Sequence, residues 1–369
     1  MTSPRRARMD RVQAAMDEMD VDVLLLSLGA DLPWLTGYEA MPLERLTMLV
    51  VPRGGDATLV VPRLEAPRVE EDPAVFSLRP WSEGDDPVQL VAGLAMLGGP
   101  ATEIAVSDRT WGTFVLSLQG ALPGAYWRAS SQVTGPLRAV KDDAEIEALA
   151  AASAAADRVA AQLLAGDIPL VGRTEREVSQ DIGRRLIAEG HQKVNFAIVG
   201  SGPNSASPHH EPGSRVIGPG EAVVCDFGGT MDGYCSDITR TVWTGEPTVE
   251  QRNMYDLLQD AQARGVAAAE VGVTCEDVDG TARQVIADGG YGEAFIHRTG
   301  HGIGLEEHED PYIVAGNALP LAPGHAFSVE PGIYLSGRFG ARIEDIVVAT
   351  AAGPRSLNLV THDLTVVAS

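Results

Sequence analysis

Five residues in the C-terminal half of this 369-residue sequence are of types that do chemistry: Asp226, Asp237, His301, Glu330 and Glu344. Each stands in a short strand-like or glycine-rich stretch, where acids are uncommon, and not on the charged face of a helix. Asp226 and Asp237 belong to VVCDFGGTMDGYCSDITRT, in which two apolar, β-branched stretches flank a glycine-rich turn. The two carboxylates are expected to face each other across a hairpin. Burying like charges at that range costs several kcal/mol unless a cation or a proton compensates. Glu330 lies in FSVEPGIY and Glu344 in GARIEDIVV, with Pro331 and Gly332 ending one run and Gly340 opening the next. His301 stands in HRTGHGIGLEEHEDP, whose glycines allow the backbone to come close to a site. Four carboxylates carry about four negative charges and two divalent cations about four positive ones, so a dinuclear metal centre balances the set. Oxygen-rich ligation with a single imidazole favours manganese, with cobalt, iron and zinc as the alternatives. Two such ions share a water, lower its pKa toward neutrality and polarise a carbonyl, which implies hydrolysis.

Taken together, these segments resemble the metal-binding motifs of the pita-bread metallopeptidases: Asp226 to Asp237 followed by ITRT, the HGIG turn at His301, VEPGIY at Glu330 and RIED at Glu344. The preceding SGPNSASPHHEPG is similar to the proline-specific branch, which comprises prolidase (Xaa-Pro dipeptidase) and aminopeptidase P. The resemblance covers about residues 140–350. It implies that Asp226 binds one metal through both oxygens, that Asp237 and Glu344 bridge two, and that His301 and Glu330 complete the two shells. Glu330 is then also the general base that takes a proton from the bridging water, the nucleophile. The resemblance further implies that His209 bonds the substrate or the tetrahedral intermediate, and that His297 and His308 flank His301 in the substrate cleft. His210 is left as a bystander. Thr239 and Arg342 each stand two residues from a ligand, on the same strand face, where each could buttress it. Arg342 is also a candidate substrate contact.

The implied substrates are short proline-containing peptides, and the implied reaction is cleavage of the bond before proline. A dipeptidase must also hold a free C-terminal carboxylate, for which an arginine fork is the best partner. Many prolidases resembling this chain carry an arginine shortly after the histidine matching His308. Here the stretch reads HEDPYI and puts Tyr312 at that position, a tentative substrate contact. Arg45, in EAMPLERLTMLVV, is one substitute; the competing reading is an exposed arginine beside Glu44. The expectation is an Xaa-Pro dipeptidase. The alternatives are an aminopeptidase P acting on longer peptides and a creatinase-like C–N hydrolase, which keeps the fold without the full ligand set.

A chain of this length is expected to form two domains. Hydrophobic residues make up 44% of it, and no apolar run is long enough to span a membrane. A net charge of −23 argues against a nucleic-acid backbone or an anionic membrane as partner. The N-terminal stretch lacks an apolar signal core, while Met9, Val12, Met16 and Met19 recur at helical spacing. Three cysteines, Cys225, Cys235 and Cys275, form no CxxC pair and no even disulfide framework, which suits a reducing cytoplasm.

Residues 1–137 alternate strand-like and helix-like stretches and predict an α/β domain with a partly parallel sheet. GADLPWLTG after the first strand lacks both phosphate-loop patterns, so nucleotide binding is not expected. Around TGPLRAVKDD the chain should turn and enter a long Ala-rich helix capped by Asp142 or Asp143. Residues 138–369 predict an α+β domain, the pita-bread catalytic domain by resemblance, with Thr174 and Glu177 as a capping box. No internal repeat is visible by eye. The resemblance also implies a homodimer whose contacts come from the N-terminal domain.

Overall fold

The computed structural model describes residues 3–367. The chain divides into two compact units with the boundary between Arg138 and Ala139. The turn expected around TGPLRAVK is instead part of a helix, Ser131–Ala139, that runs through Pro136. Tertiary bonds override the breaker there: Thr134 and Arg138 of this helix, together with Ser130, each bond the Asp31 carboxylate at 3.0 Å.

The first unit is a six-stranded mixed sheet in the order Phe76–Trp81, Ala57–Pro62, Met48–Pro52, Val23–Leu26, Glu103–Val106, Tyr126–Ala129. Its inner strand, VLLL, is buried along its whole length, paired antiparallel to Met48–Pro52 and parallel to Glu103–Val106. An uninterrupted apolar run is what a strand covered on both faces requires. Helices Pro87–Ala95 and Gly112–Ala121 contribute Val91, Ala92 and Leu118 to the core, and Pro4–Glu18 buries Met9, Val12 and Met16. The GADLPWLTG segment forms a short helix, Asp31–Thr36, closed by Gly37 at φ 75°.

The second unit is built twice over. Helices Asp143–Leu164 and Glu175–Ala188 pack on a sheet ordered Thr365–Val366, Ile238–Trp243, Ala222–Met231, Lys193–Ser201, antiparallel except for the parallel edge strand Thr365–Val366, with Tyr234–Cys235 pairing the far end of Ala222–Met231. Helices Val249–Ala268 and Cys275–Asp288 pack on a second sheet ordered Glu309–Ile313, Gly300–Gly302, Ala326–Val329, Asp345–Thr350, Gly353–Ser356. In both halves a 14-residue helix starts at a threonine cap, Thr174 or Thr274. Each cap also makes one isolated bridge, to Val216 and Pro320 respectively. This repetition lives in backbone arrangement and capping, which is why the sequence hides it. Asp142 is the cap of the long helix, in a capping box with Glu145. No helix among the described residues is long and apolar enough to cross a membrane. The two sheets of this unit touch at a bridge between Thr239 and Glu344, and the candidate site is built around that seam.

Candidate metal centre

The first hairpin is shifted from the expected pairing. Its turn residues Asp232 and Gly233 both have positive φ, 49° and 85°, the signature of a two-residue hairpin turn. That turn pairs Met231 with Tyr234, and the register then brings Thr239, not Asp237, opposite Asp226. Asp237 falls just before the Ile238–Trp243 strand, and its side chain still meets the others. One ligand atom each from Asp237, His301 and Glu344 lies within 4.8 Å of the other two. His301 Nε2 is 3.3 Å from Glu330 Oε1 and 3.7 Å from Asp237 Oδ2. Asp226 lines the same cavity.

His301 sits on a three-residue strand between two glycines whose neighbours leave no space for a side chain. A Cβ on Gly300 would meet the Ser328 carbonyl oxygen at 1.8 Å, and one on Gly302 the Asp310 carbonyl oxygen at 2.3 Å. The imidazole is fixed by its own backbone: Nδ1 lies 3.1 Å from the Gly302 carbonyl, an acceptor only, so Nδ1 carries the proton. The Nε2 lone pair therefore faces two carboxylates. Burial, then the neighbouring His308, holds the His301 pKa down at about 3, so the ring is neutral. The acids move the other way. Burial and the Glu344 charge push the Asp237 carboxyl well above its ordinary value, and burial with Glu330 and Asp226 does the same to Glu344. Glu330 is raised to about 7, chiefly by burial. Oδ1 of Asp226 and Oδ1 of Asp237 are buried without any hydrogen-bond partner.

The cavity above these groups has a volume of about 430 Å³, within the range of small-molecule sites. His209 and His308 are exposed where they line it, and His209 has no hydrogen-bond partner among the described residues. The His308 ring lies 3.9 Å from that of His301, centroid to centroid. His297 is bound on both sides: Nδ1 donates to the Arg298 carbonyl at 2.7 Å, and Nε2 accepts from the Tyr334 hydroxyl at 2.9 Å. Burial, then the Arg342 charge, lowers its pKa to about 4, so this ring is neutral as well.

Three expectations change. Arg342, a candidate substrate contact, has every guanidinium nitrogen engaged by the protein and is 2% exposed. It donates to Asp226, to the Thr239 hydroxyl at 3.1 Å, to the Tyr334 hydroxyl at 2.8 Å and to the Pro208 carbonyl at 3.4 Å. Thr239 in turn donates to Glu344 at 2.6 Å, so the pair holds two acids of the cluster. Tyr312 is not among the cavity's lining residues; its ring lies beneath the Arg298 guanidinium, 4.5 Å from centroid to Cζ. Arg45 pairs with Glu44 at 2.6 Å and Glu83 at 2.9 Å within its own unit, in keeping with the competing reading of an arginine beside Glu44. His210 is no bystander: its Nε2 meets the buried Glu175 carboxylate at 2.8 Å. That carboxylate also binds Ser201 and Asn204, anchoring both ends of the segment that carries His209.

Sequence reasoning missed the cavity's apolar wall, Phe196, Ile198 and Pro208, and Arg298, a cation with no ion pair among the described residues. The wall left a signal. Phe196 and Ile198 are two apart in NFAIVG, on one face of a strand, and Ile198 pairs directly with Asp226. Arg298 left none, because its setting depends on Tyr312 on a neighbouring strand.

Residues 146–351 match metallopeptidase family M24, and residues 8–140 match the creatinase/prolidase N-terminal domain. The chain belongs to metallopeptidase family M24. It is 48% identical to the structure of dipeptidase PepE from Mycobacterium ulcerans, which superposes with a TM-score of 0.92 over 99% of this chain and 98% of that one. A prolidase from Thermococcus sibiricus superposes with a TM-score of 0.92 at 35% identity, with 100% of both chains covered. The Xaa-Pro dipeptidase of Lactobacillus helveticus is 35% identical over 368 residues, 97% of this chain and 98% of that one. The two-domain pita-bread architecture of the proline-specific branch is thus that of this chain. Divalent metals, which the family implies, fit the residues present. Two orphaned carboxylate oxygens and an imidazole lone pair aimed at acids form a donor set that repels itself until cations enter.

Proposed function

We propose that this protein is a metal-dependent Xaa-Pro dipeptidase. The observation that carries the reading is the His301 lone pair turned toward Glu330 and Asp237, in a cavity that also presents the apolar patch Phe196, Ile198 and Pro208. Asp226, Asp237, His301, Glu330 and Glu344 would hold two divalent ions, with manganese the best match to a mostly oxygen set. When bound, those ions would neutralise the acids, acidify a water and polarise the scissile carbonyl.

The chain's own residues do the rest. Phe196, Ile198 and Pro208 offer a dry surface to a pyrrolidine ring, and the tertiary amide before proline brings no N–H that such a wall would leave unpaired. Glu330 takes the proton as the water oxygen bonds to the carbonyl carbon, and delivers it to the departing proline nitrogen as the C–N bond breaks. Ser328 donates to Glu330 Oε1 at 3.0 Å and orients it for both transfers. His209 and His308, at the rim, are placed to donate to the carbonyl oxygen as it gains charge. Arg342 and Thr239 keep Asp226 and Glu344 in position.

The test is turnover of an Xaa-Pro dipeptide, an Xaa-Ala dipeptide and an Xaa-Pro-Yaa tripeptide, with manganese and after chelation. The expected result is manganese-restored cleavage with the proline dipeptide preferred. Preference for the tripeptide would make the protein an aminopeptidase, and activity indifferent to chelation would point to creatinase-like chemistry.

A further inference from the structure

Two arginines line the cavity, and they differ in what their donors do. Arg342 is buried and fully engaged with protein acceptors. Arg298 is half-buried, forms no ion pair among the described residues, and has one hydrogen-bond contact, Nη2 to His308 Nδ1 at 3.4 Å. Its Cζ lies 4.5 Å from the centroid of the Tyr312 ring, a cation–π contact that uses none of its N–H groups. Glu307 lines the same cavity without pairing to it. A planar cation over an aromatic ring, with no ion-pair partner among the described residues, is a receptor for a carboxylate.

We propose that Arg298, braced on Tyr312, receives the C-terminal carboxylate of the substrate and so restricts the site to dipeptides. This rests on the peptidase reading above and deepens it. In a dipeptide the terminal carboxylate carbon is three bonds from the scissile carbonyl carbon, a span under about 4 Å. A donor to it must therefore stand beside the catalytic groups. Arg298 does: it lines the same cavity as Glu330 and His301, and the ring of His308, its hydrogen-bond neighbour, lies 3.9 Å from that of His301. A tripeptide presents a neutral amide at this point and leaves the fork without its counter-charge. The same arrangement accounts for Tyr312, whose ring supports the cation from an adjacent strand and does not itself meet substrate.

The experiment compares an Xaa-Pro dipeptide with its C-terminal amide on manganese-supplemented wild type, Arg298→Ala, Arg298→Lys and Arg298→Gln. Wild type should favour the free acid over the amide on the order of 10- to 100-fold in kcat/KM, the scale of a charge-assisted bond. Most of that preference should appear in KM. Arg298→Ala should lose it, Arg298→Lys should keep part of it, and Arg298→Gln, which keeps bulk over Tyr312 without charge, should lose it as alanine does, which separates loss of charge from loss of bulk. Calorimetric binding of proline against prolinamide reads the same preference without turnover. An acid-to-amide ratio in Arg298→Ala and Arg298→Gln equal to wild type overturns the proposal, whatever the absolute rates. Failure of wild type to cleave either compound sinks the peptidase reading instead, and the proline binding ratio then still decides the role of Arg298.

Discussion

Glu344 and Asp345 are consecutive, buried acids with opposite surroundings. Asp345 is satisfied: Arg240 donates to it at 2.8 Å, His362 at 2.7 Å and Gln262 at 3.2 Å. Burial alone would raise its carboxyl, but the His362 bond and the Arg240 charge outweigh burial and hold it below the ordinary value. Glu344 has the Thr239 hydroxyl, three further acids close by, and a carboxyl driven well above its ordinary value by burial and by Glu330. Alternation along the strand sends the two side chains to opposite faces. One face closes a structural network that ties down the C-terminal segment through the Thr361 and Val360 carbonyls. The other opens on the cavity. A buried acid with its partners supplied by the protein is architecture; several buried acids lacking them are a cation site.

The largest expected effect comes from breaking the unsatisfied side. Asp237→Asn or Glu344→Gln should lower peptidase turnover by at least about 10²–10³-fold, read in a manganese-supplemented assay. Activity near wild type would remove these acids from the site. Breaking the satisfied side should instead cost folding. Asp345→Ala strands the Arg240 guanidinium, 1% exposed in its side chain, and should destabilise by about 3–5 kcal/mol in denaturant unfolding. The comparison sharpens in chelator, where Glu344→Gln removes one of several crowded charges. It should raise stability by about 1 kcal/mol, opposite in sign to Asp345→Ala.

A smaller effect concerns acid. Burial, then the Lys141 charge, lowers the His325 pKa from 6.5 to about 4. The unfolded chain takes up that proton first, so the stabilisation is complete above about pH 6.5, declines as pH falls toward about 4, and is absent below it. His325→Gln should flatten the stability profile between those limits in urea titrations at stepped pH, and an unchanged slope would count against it.

Much of the site was legible because its chemistry is written in residue type and context. Acids inside β-branched stretches, and a histidine between glycines, have few other uses. What stayed hidden depends on pairing at a distance. RIED does not by itself separate Glu344 from Asp345, since the division rests on Thr239 bridging one and Arg240 binding the other. The misplaced hairpin register came from a turn whose conformation at Asp232 and Gly233 sets the offset. Arg298 reads as any surface arginine until Tyr312 is beneath it. Conversely, the helix caps at Asp142 and Thr174 were local, and local signals carried them.

The central claim is that the acid and imidazole cluster is completed by divalent cations. Calorimetric titration of manganese into chelator-stripped protein, paired with melting curves, tests it most directly. Wild type should bind two ions per chain with a rise in melting temperature, both lost in the Asp237→Asn, Glu344→Gln double variant. Absence of saturable binding to the wild type, or equal binding to the double variant, would contradict it.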